Sequence, residues 1–385
     1  MMQDISIFGS GNLGRRALHE IGKASVNCFI DNDDTKQGDY IDDLPIISLD
    51  EWMNKYNKSK IVIAISQFDE VILQLKEKNI GFYEVWVPRY SVFCDTKEIV
   101  LNPYEKRELQ LEEKNLNLED NKKEISAINR FTDILWKQKP LFNHVEIETY
   151  NRCNGGCAFC PVSKKNDTRE ERFMSFGLFE KIIDELSELN YHGCLALFSN
   201  NEPFLDKRII DFSKIVREKL PYARTHLFTN GTLLDIKKFT EIINYLDELV
   251  IDNYSEKLEL IPNCKYIKEY CEVHSELKNK VTIVMRNPKE ILEARGGTAP
   301  NRTNMQMIEN VKCTHPFRQL IIRPDGKVSI CCNDALGLTE MGDVSTESLL
   351  EVWNGKKMEK ARKKLVCEGR KSIEICKYCD SLRLV

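Results

Sequence analysis

From Val145 the chain alternates apolar strands with amphipathic helices: "HVEIETY", "SFGLFEKIIDELSEL", "CLALFSN", "KRIIDFSKIVREK", "THLFTN", "DIKKFTEIINYL", "ELVIDN", a helix over 261–277, and "VTIVMRN". Strands that alternate with helices pair in parallel, because a parallel neighbour needs a crossover and the helix provides it. Ser175 signals the start of the first helix. Five such units in series predict a barrel or part of one, whose chemistry gathers at the C-terminal strand ends. The octet "CNGGCAFC", Cys153 to Cys160, follows the first strand directly.

At 385 residues the chain is too long for one ordinary core. The boundaries predicted are 1–100, an α/β unit; 101–140, a charged helical linker; 141–310, the strand–helix array; and 311–385, a cysteine-rich end. In the first unit "ISIFGSGNLGRRALHEIG" reads as strand, glycine turn and helix, and "VNCFIDND", "KIVIAIS" and "FYEVWVP" as further strands. Gly9, Gly11 and Gly14 fit G-x-G-x-x-G where N–H groups and a helix dipole can hold a phosphate, and Asp31 stands where a ribose-binding acid would lie. Glycine serves a tight strand-to-helix turn equally well with nothing bound. The stretch "FIDNDDTKQGDYIDDLPIISLDEW" resembles the N-terminal sugar-nucleotide-binding domains of bacterial polysaccharide-tailoring enzymes. "EKRELQLEEKNLNLEDNKKE" is charge-dense and predicts a solvated connecting helix.

The net charge of −4, from 56 basic and 60 acidic residues, gives no long-range attraction for nucleic acid or anionic lipid, although a local basic groove is compatible with it. The N-terminus lacks the features of a signal peptide, and no apolar run approaches a membrane span. A cytoplasmic protein without nucleic-acid or membrane partners is expected.

Fourteen cysteines in such a chain are better explained as ligands than as disulfides. Three lie in the octet, six lie between Cys313 and Cys379, and Cys28, Cys94, Cys194, Cys264 and Cys271 read as small core residues. A tetrahedral zinc site takes four ligands, usually as two close pairs. Here C-x3-C-x2-C places three on one loop, while His144, His192 and Cys194 belong to other elements. A four-iron cluster accepts three thiolates from Cys153, Cys157 and Cys160 and keeps one iron open.

This loop, with Phe159 before the third cysteine and a strand ahead of it, resembles that of the radical S-adenosylmethionine (SAM) superfamily. The resemblance implies a [4Fe-4S] cluster whose open iron is chelated by SAM, reductive cleavage to a 5′-deoxyadenosyl radical, and hydrogen abstraction from substrate. "NNEPF" is similar to the family's G-G-E-P motif, with Asn200 and Asn201 in place of glycines, so Asn201, Glu202 and Pro203 become candidates for the SAM amino group. Asn230 in "TNG" and Arg286 at the fifth strand's end are the remaining SAM-side candidates, Arg286 for its carboxylate. The plain alternatives are a helix cap, a β-turn and a surface ion pair. The fold expected is α/β: a partial (β/α)6 TIM-like barrel, a Rossmann-like N-terminal parallel sheet and a small cysteine-rich C-terminal domain.

Beyond the Gly/Pro-rich "RGGTAPN", "CTHPFRQLIIRPDGKVSICC" reads as a β-hairpin, and a helix near "ESLLEVWNGKKMEKARKKL" separates it from "CKYC". Cys313, Cys331, Cys376 and Cys379 can converge, and on spacing alone four thiolates suit zinc as well as iron. The stretch resembles the SPASM/twitch extension of radical SAM enzymes, which implies one auxiliary [4Fe-4S] cluster. Cys332 and Cys367 remain as alternative ligands, hydrogen-atom donors or buried thiols. A fully ligated cluster can accept an electron, so abstraction of a carbinol hydrogen followed by loss of a proton and an electron would give a ketone. Epimerisation would instead need a thiol such as Cys332. Arg295 and Glu148 are candidates for the base.

The function expected is oxidation or epimerisation of a carbohydrate, with a small-molecule substrate such as a nucleotide sugar and an electron donor such as flavodoxin or ferredoxin. The alternatives are a peptide maturase and a non-catalytic zinc scaffold. No H-E-x-x-H, Walker loop or G-x-S-x-G elbow is present. The six histidines are scattered, and only His315 adjoins a proposed cluster.

Overall fold

The computed structural model describes residues 5–65, 68–86 and 98–383. Cys94 lies outside them. Two compact units divide the chain, one reaching to Ser91 and the other running from Val92 to Arg383.

The first unit runs β1 (Ile5–Phe8), α1 (Asn12–Ile21), β2 (Val26–Ile30), β3 (Tyr40–Ile41), β4 (Leu44–Ile47), α2 (Leu49–Lys55), β5 (Lys60–Ile63), α3 (Phe68–Glu77) and β6 (Tyr83–Val85). Its sheet has the order β3-β4-β2-β1-β5-β6 and is parallel except at β3. The glycine turn after β1 is built by contact. A Cβ on Gly14 would stand 1.8 Å from the Gly9 carbonyl oxygen, and Gly9 has φ of 109° with Ile65 against it, whereas Gly11 faces open space. Asp31 closes the turn: it accepts from the Ser10 amide at 2.9 Å and from the Ser10 hydroxyl, and from the Asp33 amide at 3.0 Å. Packing thus accounts for Gly9 and Gly14, and Asp31 is engaged by its own loop.

The second unit comprises β7 (Val100–Leu101), α4 (Lys122–Gln138), β8 (His144–Ile147), α5 (Phe176–Glu188), β9 (Cys194–Ala196), α6 (Ile209–Lys219), β10 (Arg224–Thr229), α7 (Ile236–Ile242), β11 (Glu248–Tyr254), α8 (Pro262–Val273), β12 (Val281–Arg286), β13 (Gln319–Ile322), β14 (Val328–Ser329), α9 (Leu349–Trp353) and α10 (Lys356–Cys367). Its eight-stranded sheet has the order β14-β13-β8-β9-β10-β11-β12-β7, with only β14 antiparallel to its neighbour. Strands β8 to β12 and helices α5 to α8 are the strand–helix array of the sequence. Ser175 caps α5 by accepting from the Leu178 amide at 3.2 Å.

Two segments differ from expectation. The region 101–140 is not a solvated connector: α4 buries Ile128, Phe131 and Leu135, an apolar stripe at helical spacing that the surrounding charge obscures. Upstream of α4, Glu113 accepts from the Thr303 amide and from Arg302 Nε, at 3.0 and 2.9 Å. The hairpin of the cysteine-rich end shares the main sheet, since β13 lies parallel to β8 with Gln319 opposite His144 and Ile322 opposite Ile147.

Alternation along β8 gives the sheet two chemically different faces. Val145 and Ile147 join the helix-covered core. His144, Glu146 and Glu148 are buried on the other face, where the His144 ring lies 5.4 Å from that of His226 on β10. The barrel interior is therefore polar on this side. Among the described residues no helix is long and apolar enough to cross a membrane.

Candidate functional site

The loop after β8 is fixed to three other strand ends. The Arg152 carbonyl accepts from the Glu202 amide at 2.9 Å, Asn154 accepts from Asn230 Nδ2 at 2.8 Å, and the Ala158 amide donates to the Pro288 carbonyl at 2.8 Å. Within it Gly155 lies among the sulfurs: a Cβ there would be 3.3 Å from Cys153 Sγ and 4.0 Å from Cys157 Sγ. Burial, with Cys160 adding to it, pushes the Cys153 and Cys157 thiols up to about 12. Thiols crowded in this way are released from that penalty when a cationic cluster takes them as thiolates. The loop therefore fits the group expected of it. Phe159 packs 6.1 Å from the Tyr254 ring at the end of β11.

The SAM-side candidates divide into two kinds. Glu202 is turned inward, accepting from the Asn230 amide at 2.8 Å, the Thr229 hydroxyl at 2.7 Å and the Phe204 amide at 3.1 Å, with burial raising its carboxyl to about 7. It fastens the β9 turn to the end of β10, and Pro203 follows as the first residue of a short 3-10 turn. Asn201 keeps its side-chain Nδ2 buried without a partner among the described residues, a donor left for a ligand. Arg286 pairs with Asp252 at 3.0 Å; burial opposes its charge, but Asp252 holds its pKa above the ordinary value.

Arg169 is the residue the sequence concealed. It donates twice to Glu148, at 3.0 and 3.1 Å, and also to Asp167 and to the carbonyls of Asn151 and Asn200. Burial raises the Glu148 carboxyl and Arg169 opposes that rise. A carboxylate clamped in this way is a poor candidate for a mobile base. Nothing in the run "DTREERF" separates Arg169 from surface charge.

The four C-terminal cysteines converge. Cys313, Cys331, Cys376 and Cys379 line one cavity of about 410 Å³ of space not filled by atoms, together with Gly296, His315 and Arg370. Among the described residues no three His, Cys, Asp or Glu side chains close around the position of a single metal ion. Arg370 is buried, donates to the carbonyls of Lys312 and Cys379 at 3.0 and 2.8 Å, and lowers the thiols of Cys376 and Cys379 against the rise that burial imposes. A buried cation among four thiols suits a site that holds net negative charge. Cys367 is exposed at the end of α10 and does not line the cavity.

Cys332 turns away from this cavity toward the barrel interior. Burial first and Glu146 second push its thiol up to about 12, with Arg295 opposing the rise. Asn200 joins the parts: its Nδ2 donates to the Cys332 carbonyl at 3.1 Å and its Oδ1 accepts from Arg295. Glu146 in turn accepts from the Ser199 hydroxyl at 2.6 Å and meets His144 Nε2 at 3.0 Å. Arg295, the Cys332 thiol, Asn200 and the Glu146 carboxylate thus form one polar cluster beside the four-cysteine cavity, to which Cys331 ties it through the chain.

Residues 147–263 match the radical SAM superfamily, and residues 313–380 match SPASM, an iron–sulfur cluster-binding domain. The chain therefore carries a radical SAM domain followed by a SPASM iron–sulfur cluster-binding domain, and these domains imply SAM and [4Fe-4S] clusters as its cofactors. It is similar to the S-adenosyl-L-methionine-dependent 2-deoxy-scyllo-inosamine dehydrogenase of Niallia circulans, 27% identical over 244 residues that cover 63% of this chain and 94% of the relative. Its fold is similar to the crystal structure of BtrN in complex with AdoMet and 2-DOIA, at 24% identity and a TM-score of 0.54 over 63% of this chain and 94% of that one.

Proposed function

We propose that this protein is a radical SAM dehydrogenase that oxidises a secondary alcohol of a small polyhydroxylated molecule, a cyclitol or a sugar. The observation that carries the reading is the pair of cysteine sites, three thiols on one loop and four around one cavity, with Asn200 after β9 holding both Arg295 and the carbonyl of Cys332, the neighbour of the cavity's Cys331. The similar dehydrogenase acting on 2-deoxy-scyllo-inosamine supports an alcohol substrate.

Cys153, Cys157 and Cys160 would hold the SAM-binding cluster, and Cys313, Cys331, Cys376 and Cys379 the auxiliary one. Bound there, SAM and its cluster supply a hydrogen-abstracting radical. The chain's own residues do the remainder. Asn201 and Asn230 hold the cofactor end, Phe159 covers the loop, and Arg295, fixed by Asn200, orients the substrate hydroxyl and takes part in its deprotonation. Within the N-terminal unit, the turn from Gly9 to Gly14 would be the place for a phosphate-bearing ligand.

The test is anaerobic turnover with SAM, a low-potential reductant and a panel of aminocyclitols and nucleotide sugars. Formation of 5′-deoxyadenosine with an equal amount of ketone supports the reading; 5′-deoxyadenosine formed only with a peptide would overturn it. Epimerisation is a second reading, favoured by the position of Cys332 beside Glu146 and Arg295. It would incorporate one solvent deuterium into an alcohol product, whereas dehydrogenation would not.

A further inference from the structure

α10 carries Lys356, Lys357, Lys360, Arg362, Lys363 and Lys364 against a single acid, Glu359, in twelve residues, within a chain whose net charge is −4. Lys356, Lys360 and Lys363 recur at helical spacing, so they share one side of α10. All three are exposed, and none forms an ion pair with the described residues. Lys357 is paired with Glu340 at 3.4 Å. A concentration of one charge against the overall sign, kept unneutralised, is a recognition feature.

Beside this row lies a hollow of about 590 Å³, lined among others by Trp136, Lys139, Phe317, Trp353, Glu359 and Arg362. The Arg362 guanidinium rests 3.8 Å from the centre of the Trp353 ring, its Nε donates to the Pro316 carbonyl at 2.8 Å, and its Nη2 is buried without a partner among the described residues. Aromatic rings and arginine are the residue types that anchor protein partners. The hollow also adjoins the four-cysteine cavity. His315 and Pro316 line the cavity, and the next residue, Phe317, lines the hollow, with its ring 6.5 Å from that of Trp136. Pro316 and Phe317, consecutive in the chain, thus line the one space and the other.

We propose that the α4–α10 face docks a small acidic one-electron carrier protein, which exchanges an electron with the four-cysteine site by way of Phe317. The proposal rests on the reading of that cavity as a cluster site. Its chemistry balances: oxidising a carbinol to a ketone removes one hydrogen atom to the radical, one proton to a base and one electron, which the cluster that the four cysteines would hold accepts. A docked oxidised carrier takes up that electron, is reduced by one, and forms no bond. An electron left at the four-cysteine site needs such an exit, and the basic row selects a partner of opposite charge.

The test uses the full chain with both sites reconstituted and a flavodoxin, a small acidic flavin protein, as the probe. Binding is measured by calorimetry at low and high salt, and electron transfer by stopped flow. The triple variant Lys356→Glu/Lys360→Glu/Lys363→Glu should bind at least about tenfold more weakly and lose its salt dependence. The same reversal at the exposed Lys207, Lys237 and Lys265 should leave binding unchanged, and reduction by dithionite should be equal in all three proteins. Equal flavodoxin binding by wild type and the α10 triple variant overturns the docking face. The cavity reading fails separately, on an iron count near four in place of about eight, and the electron route fails with it.

Discussion

Cys331 and Cys332 are adjacent in the chain and face different spaces: the first lines the four-cysteine cavity, and the second lies against Glu146 and Arg295 in the barrel. The chain turns here, with the Asp334 amide donating to the Cys331 carbonyl at 3.1 Å, and the turn sends the two neighbouring thiols to different surroundings. Cys331→Ala should lose the auxiliary cluster, a drop of about four irons. Cys332→Ala should retain the full iron count. Iron and sulfide determination on both variants checks this, and equal losses would show that the cluster site needs both cysteines.

Arg370 offers a charge test of the same cavity. Its guanidinium is buried among the thiols, and nearby carbonyls take up its N–H groups. Arg370→Met keeps most of the bulk and removes the positive charge. The auxiliary site should then become harder to reduce, with a midpoint shifted to more negative potential, while the SAM-side midpoint stays in place. A spectroelectrochemical titration monitored by electron paramagnetic resonance reads both.

Arg169 holds Glu148, Asp167 and two loop carbonyls at once, a planar five-donor role that lysine cannot fill. Arg169→Lys should weaken SAM binding by about tenfold or more and lower the unfolding temperature by several degrees, consistent with about 2–4 kcal/mol for a broken buried network. Calorimetry of SAM binding and a thermal melt measure the two effects separately. An unchanged SAM affinity would show that the cysteine loop keeps its shape without this clamp.

The neighbouring rings of His144 and His226, 5.4 Å apart and tilted by 40°, set a stability optimum in pH. Burial disfavours charge on both rings, but at His144 the neighbouring Cys194 and Glu146 outweigh it and raise the pKa to about 9, whereas burial holds His226 well below its ordinary value. His144 therefore contributes stability that is full below about 6.5 and lost as pH rises through 9. His226 contributes an opposite term: stability falls as pH drops below about 6.5, because only the unfolded ring takes the proton. His226→Gln should flatten the acid side of a plot of unfolding midpoint against pH, and His144→Gln the alkaline side.

The parts legible in the sequence were those with chemically costly spacing. Cys153, Cys157 and Cys160 admit few explanations, and the two cysteine halves at Cys313/Cys331 and Cys376/Cys379 pointed to one site before any contact was known. Arg169 and Arg370 were not legible, because a single arginine in a charged loop carries no mark of burial. The apolar stripe of α4 was likewise diluted by its charged neighbours, and β7 is only two residues long. Gly9 and Gly14 could be read two ways, and the packing that separates those readings involves Ile65, far along the chain.

The pairing of β13 with β8 has a consequence for any attempt to divide this protein. A chain ended near Val311 would not be a barrel lacking an accessory. It would expose the hydrogen-bonding edge of β8 from His144 to Ile147, a buried run now satisfied by Gln319 to Ile322. Bared strand edges invite pairing between copies, so such a fragment should precipitate or form ladders of associated chains. The cluster-binding end is, in this sense, the protein's protection against itself.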